Sequence, residues 1–190
     1  MLFDADQLEA LAACTELINT GRSRSGEGLR DVVDVQEFAR RNVFYPREVA
    51  KGDVALLRAH RARLDTIARA CEAGDTDRVI TLVNALLAET GAVPQIASHD
   101  GRGPHFHVSS SQAPLADRIA AQLAMGLAWL VVEGETDRVR TCGSPDCPDV
   151  FVDFSRNRSR RYCDNRSCGN RLHVAAYRAR KSAQEQTAPH

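Results

Sequence analysis

Apolar residues recur at three- and four-residue spacing over the first two-thirds of the chain, and that spacing predicts helices. Leu8, Leu11, Ala12, Thr15 and Ile18 follow it, with Gly21 placed to end the segment. A polar loop rich in Gly and Ser, Arg22 to Gly28, comes next, and Val32 to Arg41 reads as a short helix. Asp53 is placed to cap a long helix whose inner face carries Leu57, His60, Leu64, Ile67 and Cys71, with Gly74 after it. Asp75 or Thr76 caps the next, which carries Val79, Ile80, Val83, Leu86 and Leu87 and closes at Gly91.

The period then changes to two. PQIAS and HFHVS, separated by the turn-rich HDGRG, predict a β-hairpin with Phe106 and Val108 on one face and His105 and His107 on the other. A last long helix carries Leu115, Ile119, Leu123, Leu127 and Leu130, with Gly134 beyond it. Its most apolar window, Ile119 to Val132, is short for a bilayer core, which needs ~20 residues, so no membrane partner is expected. The opening MLFDADQLEA has no basic segment followed by an apolar one, which points to a cytoplasmic protein.

Charge divides the chain. It holds 25 basic and 25 acidic residues, a formal net charge of zero. From Arg138 to Lys181, however, eleven Lys or Arg face four Asp, a balance of +7, and the remainder therefore carries −7. The GETD stretch before this basic segment marks the expected boundary. Residues 1–137 form a helical domain, 138–181 a basic module, and 182–190 a disordered tail.

The basic module contains four cysteines, Cys142, Cys147, Cys163 and Cys168, in two CxxxxC pairs fifteen residues apart. A reducing compartment favours metal ligation over disulfides. Four thiolates satisfy tetrahedral Zn²⁺ and leave no position for a catalytic water, so one structural zinc ion is expected. The module has few large apolar residues, and metal must contribute to its folding. VFVDF and RRYC read as two strands joined by SRNR, followed by a helix bearing the last pair. The expected fold is mainly α with a small β component, ending in a treble-clef-like zinc module.

RTC, the Phe-x-Asp before SRNRSRRYC, and CGNR (Cys168 to Arg171) resemble the CGNR zinc finger family over Arg140 to Lys181. Members of that family usually carry an upstream helical ABATE domain, and Leu17 to Thr20 (Leu-Ile-Asn-Thr) is similar to the Phe-Val-Asn-Thr run near its start. The chain departs from the pattern at Cys14-Thr15-Glu16, where a more apolar stretch with an aspartate is usual, and at His173, where lysine is common. The resemblance implies DNA binding and stress-linked transcriptional control.

The residues support a nucleic-acid partner separately. Arg156, Arg158, Arg160 and Arg161 crowd the proposed turn, and Arg166, Arg171, Arg178 and Lys181 continue into the final helix. Such a cluster neutralises phosphates and releases counterions, and arginine suits bidentate contact with phosphate or guanine. Two other uses fit the same residues: a docking surface for a protein partner or a second copy of the chain, and ion pairs with Asp146, Asp149, Asp153, Asp164 or the acidic domain. No small-molecule effector is specified. His105 and His107 share a strand face and read as an exposed polar pair, with a second metal as the alternative. Cys14 and Cys71 read as buried thiols, and Trp129 as a packed core residue. No phosphate loop, nucleophile elbow or catalytic carboxylate pair is present in the sequence, so an enzyme is not expected.

Overall fold

The structure, a computed structural model, describes residues 4–186 apart from 23–25, 43, 45–47, 99–102 and 165–166. Its helices are α1 (Ala5–Thr20), α2 (Val32–Arg41), α3 (Lys51–Glu72), α4 (Thr76–Glu89), α5 (Leu115–Val132) and α6 (Cys168–Gln186). Two antiparallel strand pairs accompany them: β1 (Gln95–Ala97) with β2 (His105–His107), and β3 (Val139–Thr141) with β4 (Val150–Val152). The expected fold class, mainly helical with a small β component, is the one observed.

Each early helix starts where a side chain satisfies its free amides. At α1, Asp4 accepts from the Gln7 amide at 2.8 Å while Gln7 accepts from the Asp4 amide at 3.1 Å. Asp31 caps α2 and Asp75 caps α4. Asp53 is a different case from the expected cap: α3 begins at Lys51, and Asp53 lies inside its first turn. One of its oxygens returns to the Ala50 amide at 2.9 Å, and the other accepts from the Ala116 amide at 3.1 Å. α5 follows Pro114, which offers no side-chain cap. The buried Asp53 carboxylate therefore caps two helices at once and fixes their relative position.

α5 is the centre of the core. It packs against α1, α3 and α4 and buries Leu115, Ile119, Leu123, Leu127 and Leu130, the face the sequence predicts. The apolar window belongs to an 18-residue helix that is long and apolar enough, by length and composition, to cross a membrane. Burial among three helices accounts for its apolarity. α3 likewise buries its predicted face, and Cys14 and Cys71 are buried thiols. On α1 the inner face is turned from the predicted one: Ala10, Leu11, Cys14, Leu17 and Ile18 are buried, Ala12 is exposed and Thr15 half-buried. Gly126 of α5 explains the rotation, since a Cβ there would lie 3.1 Å from the Ala10 Cβ; the two helices close on each other along the Ala10 side. On α4, Ile80 is exposed in place of the predicted burial.

The β1–β2 hairpin falls where predicted, with Ile96 opposite Phe106; its HDGRG turn lies largely outside the described residues. The second hairpin differs from expectation. β4 does not pair with RRYC but with β3, upstream of the first cysteine, with Arg140 opposite Phe151. The Arg140 guanidinium takes the Arg160 carbonyl, which a second strand would need, at 3.4 Å, and the Arg158 carbonyl of the preceding turn at 2.9 Å. Arg158, the last residue of the predicted SRNR turn, adopts a left-handed φ of 50°, as a turn residue can.

Val139, Val150 and Val152 are buried in the same core as α1, α3 and α5. The strands of the basic module thus complete the helical body. At the other end, α6 continues through Gln186, so residues 182–186 of the expected tail are helical and 187–190 lie outside the described residues.

Candidate metal centre and nucleic-acid interface

β3 delivers Cys142, whose amide donates to the Asp149 carbonyl at 2.8 Å. The chain turns tightly through Ser144, whose carbonyl accepts from the Cys147 amide at 3.0 Å. Gly143 lies against the returning chain: its amide donates to the Arg161 carbonyl at 2.8 Å, and a Cβ there would meet that oxygen at 3.0 Å. Cys163 follows on that returning chain, and Cys168 opens α6. Phe151 and the half-buried Tyr162 pack around the four cysteines.

All four cysteines are buried, and their sulfurs lie within 4.8 Å of one another. Cys147 and Cys163 sulfurs are 3.6 Å apart, and Cys163 and Cys168 sulfurs 3.8 Å apart. These separations far exceed a disulfide bond of ~2.05 Å. Sulfurs ~2.3 Å from a tetrahedral Zn²⁺ are ~3.8 Å from each other. The residues therefore fit one zinc ion with a complete shell of protein ligands, and the ion is structural.

Electrostatics supports the same use. Burial raises Cys163 well above the ordinary thiol value and Cys147 to about 11, so proton loss from this cluster is driven by metal. Burial is the largest single effect on Cys168 and raises it, but the Arg171 guanidinium, donating to its sulfur at 3.2 Å, and the hydrogen bonds of the other three cysteines together outweigh it and lower the thiol. The Cys163 amide points at the Cys142 sulfur at 3.4 Å. Four thiolates around a divalent ion carry a net charge of −2, and Arg171 offsets part of it.

The eight basic positions predicted to meet nucleic acid separate into groups. Arg156 and Arg161 are exposed, and their side chains make no ion pair or hydrogen bond among the described residues. Arg158 binds inward, to Glu135 at 2.7 Å and Asp137 at 3.2 Å. Arg160 pairs with Asp164 at 2.5 Å, donates to the Tyr162 carbonyl and lies over the Phe151 ring at 5.1 Å. Arg171 is tied to the zinc ligand Cys168. Asn170, Arg171, Val174, Ala175 and Arg178 border one shallow groove along α6, and Lys181 is exposed further along it. Arg166 lies outside the described residues.

Several residues that build the site were not singled out from the sequence. Arg138 is buried and binds Glu135 at 2.6 Å and the carbonyls of Asp153 and Ser155 at 2.8 and 2.9 Å. Asp153, by contrast, was offered by the sequence as a partner for the module's arginines: it is wholly buried, accepts from the amides of Ser155 and Arg160 at 2.9 and 2.8 Å, and lies 3.6 Å from the Arg140 guanidinium. Three residues of the helical body grip the module. Asn19 exchanges two hydrogen bonds with Val150, Arg22 donates to the Pro148 carbonyl at 2.8 Å, and Glu72 accepts from Thr141. Asn19 did stand in the Leu-Ile-Asn-Thr run, where a polar residue beside Leu17 and Ile18 was the available signal.

Comparison with known families matches the ABATE model, described as "Putative stress-induced transcription regulator", over residues 11–146. The chain belongs to the ABATE family. A second model, the CGNR zinc finger, matches residues 138–181 of this ABATE protein. The two matches overlap over 138–146, the stretch containing β3 and the first cysteine, where the structure also merges body and finger into one core. A comparison with the curated proteins finds no match.

Proposed function

We propose that this ABATE protein is a zinc-dependent DNA-binding transcription regulator of the cytoplasm, with structural zinc and a helical domain that senses a signal or mediates assembly. The sorting of the arginines carries the reading. Arg138, Arg140, Arg158 and Arg160 spend their charge on carboxylates and carbonyls of the module and on Glu135 just before it. Arg156 and Arg161 flank that scaffold with exposed guanidiniums, the arrangement that suits phosphate contact. α6 adds Asn170, Arg171 and Arg178 along one groove. The family description supplies the link to transcription and stress. A closed thiolate shell offers no open metal position, which supports a non-enzymatic role.

The test is fluorescence anisotropy of the zinc-loaded full-length protein with mixed-sequence duplex DNA over a range of salt. Affinity should fall log-linearly with salt, with a slope of about −0.9 per phosphate contact. The Arg156→Ala/Arg161→Ala variant should keep its zinc and lose affinity with a shallower slope. Arg171→Ala is a less clean probe, because its guanidinium also holds Cys168. Absence of binding at low salt, with zinc stoichiometry confirmed, rejects the reading. A protein-interaction adaptor or homodimer is the second reading, favoured by Val174 and Tyr177, which stand 47% and 61% exposed on α6. Such a surface would bind with little response to salt.

A further inference from the structure

Away from the finger, we propose that His105 and His107 form a second metal site, for one divalent ion of the imidazole-preferring class such as Ni²⁺, Cu²⁺ or Zn²⁺. Alternate positions on β2 place both rings on one side of the strand. Their Nε2 atoms are 3.2 Å apart, with ring centroids 5.1 Å apart and planes tilted by 45°. Two imidazole nitrogens each ~2.0–2.1 Å from one tetrahedral ion are separated by ~3.3–3.4 Å. The pair is therefore spaced to meet a single ion without moving the backbone.

The orientation of His105 fits that use. Its Nδ1 lies 2.9 Å from the Gly103 carbonyl, which only accepts, so Nδ1 carries the proton. In the neutral ring the Nε2 lone pair then faces His107. This is how ligand histidines are held, with the far nitrogen anchored to an oxygen. In the metal-free pair, the proton on the His107 Nε2 bridges the two nitrogens; the ion takes its place, and that proton moves through solvent to the His107 Nδ1, so both rings bind as neutral imidazoles.

The surroundings add to the case. His105 borders a groove of about 180 Å³ together with Asp4, Asp6, Phe106 and Trp129. Asp4 is engaged at the start of α1, but the Asp6 carboxylate is exposed and makes no contact among the described residues, giving the groove negative potential. Trp129 is thus half-buried at a groove instead of packed in the core, as the sequence had suggested. Two protein donors leave the other coordination positions to water. Binding here is exchangeable, unlike that in the four-thiolate finger, and the nitrogen donors select metals suited to imidazole.

Trp129 is the only tryptophan in the chain, so its fluorescence reports on this groove. Untagged full-length protein with its finger loaded with zinc is titrated with Ni²⁺, followed by tryptophan quenching and calorimetry. The expected result is one Ni²⁺ per chain with quenching of Trp129. His105→Ala and His107→Ala should each weaken binding by about tenfold or more, the scale that loss even of an outer partner reaches. His173→Ala, on α6, should leave it unchanged. Equal affinity in wild type and in folded His107→Ala or His107→Gln overturns the proposal. So does nickel uptake matched entirely by zinc release and thiolate-to-nickel absorption, which would place the ion in the finger.

Discussion

Asn19 of α1 and Val150 of β4 exchange two hydrogen bonds of 2.8 Å, the side-chain amide donating to the Val150 carbonyl and its oxygen accepting from the Val150 amide. The asparagine mimics a neighbouring strand. It satisfies the outer edge of a strand that is buried and would otherwise leave two backbone groups unpaired. The residues are 131 positions apart, so the pair staples the start of the helical body to the finger. Zinc ligation and the helical fold are thereby coupled.

Asn19→Ala should destabilise the whole protein by about 2–4 kcal/mol, since both Val150 groups lose their partner in a buried place. Thermal unfolding should show a lowered midpoint in the zinc-loaded protein, and a zinc-competition titration should show weakened zinc binding. Normal zinc affinity in a destabilised Asn19→Ala protein would argue against the coupling. Asn19→Asp should be at least as damaging, because it keeps an acceptor but removes the donor to the Val150 carbonyl.

Glu135→Gln should be among the most disruptive conservative changes. Glu135 is buried between Arg138 and Arg158, at 2.6 and 2.7 Å. The amide removes the carboxylate charge that both guanidiniums bind, next to the buried Arg138, a loss of about 3–5 kcal/mol. A double-mutant cycle checks the cause: once Arg138→Met has removed the buried charge, Glu135→Gln should cost markedly less. Additive effects would assign the damage elsewhere.

The sequence carried the helical faces and the metal ligands well, for physical reasons. Buried positions on α3 and α5 repeat every three or four residues, and tetrahedral zinc demands four thiolates whatever the surrounding fold. It was a poorer guide to the finger's strand pairing. VFVDF was legible as a strand, but its partner is the short Val139–Thr141 segment, whose three residues give no periodicity to read. Nor did the basic run distinguish exposed charges from paired ones. Arg138, Arg140 and Arg158 are alike in sequence to Arg156 and Arg161; only their carboxylate and carbonyl partners, including Glu135 from outside the finger, separate them. Asp53 looked like a helix cap because Asp is a capping residue, and it does cap, but for α5 as well as for its own helix.

Removal of zinc should unfold more than the finger. The finger's strand valines belong to the central core, so loss of the ion exposes part of it. Chelation, or Cys163→Ser, should lower the midpoint of a single unfolding transition followed by far-UV circular dichroism, with added zinc restoring the wild type but not the variant. Because burial keeps the Cys163 and Cys147 thiols protonated without metal, zinc uptake should release protons, seen as a buffer-dependent calorimetric heat. Two separate transitions, with the helical one indifferent to zinc, would contradict the shared core.

Acid should weaken the helical body through Glu27. Its carboxylate accepts two hydrogen bonds of 2.6 Å from Arg61 and one of 2.8 Å from the Leu29 amide. The Arg61 hydrogen bonds, against a smaller opposing effect of burial, lower Glu27 from an ordinary 4.5 to about 2. A carboxylate that binds protons more weakly when folded adds stability that is complete above the unfolded value. That contribution is lost as pH falls from about 4.5 toward about 2. Glu27→Gln removes this contribution at neutral pH, so the variant should begin less stable and fall less steeply through the acid range. Urea unfolding of zinc-free wild type and variant, compared across that range, separates this effect from thiolate protonation in the finger. Arg30 similarly lowers Asp34 to about 2, but that pair is present in both proteins and cancels. Parallel pH profiles for the two would show that the Arg61–Glu27 pair has no part in acid stability.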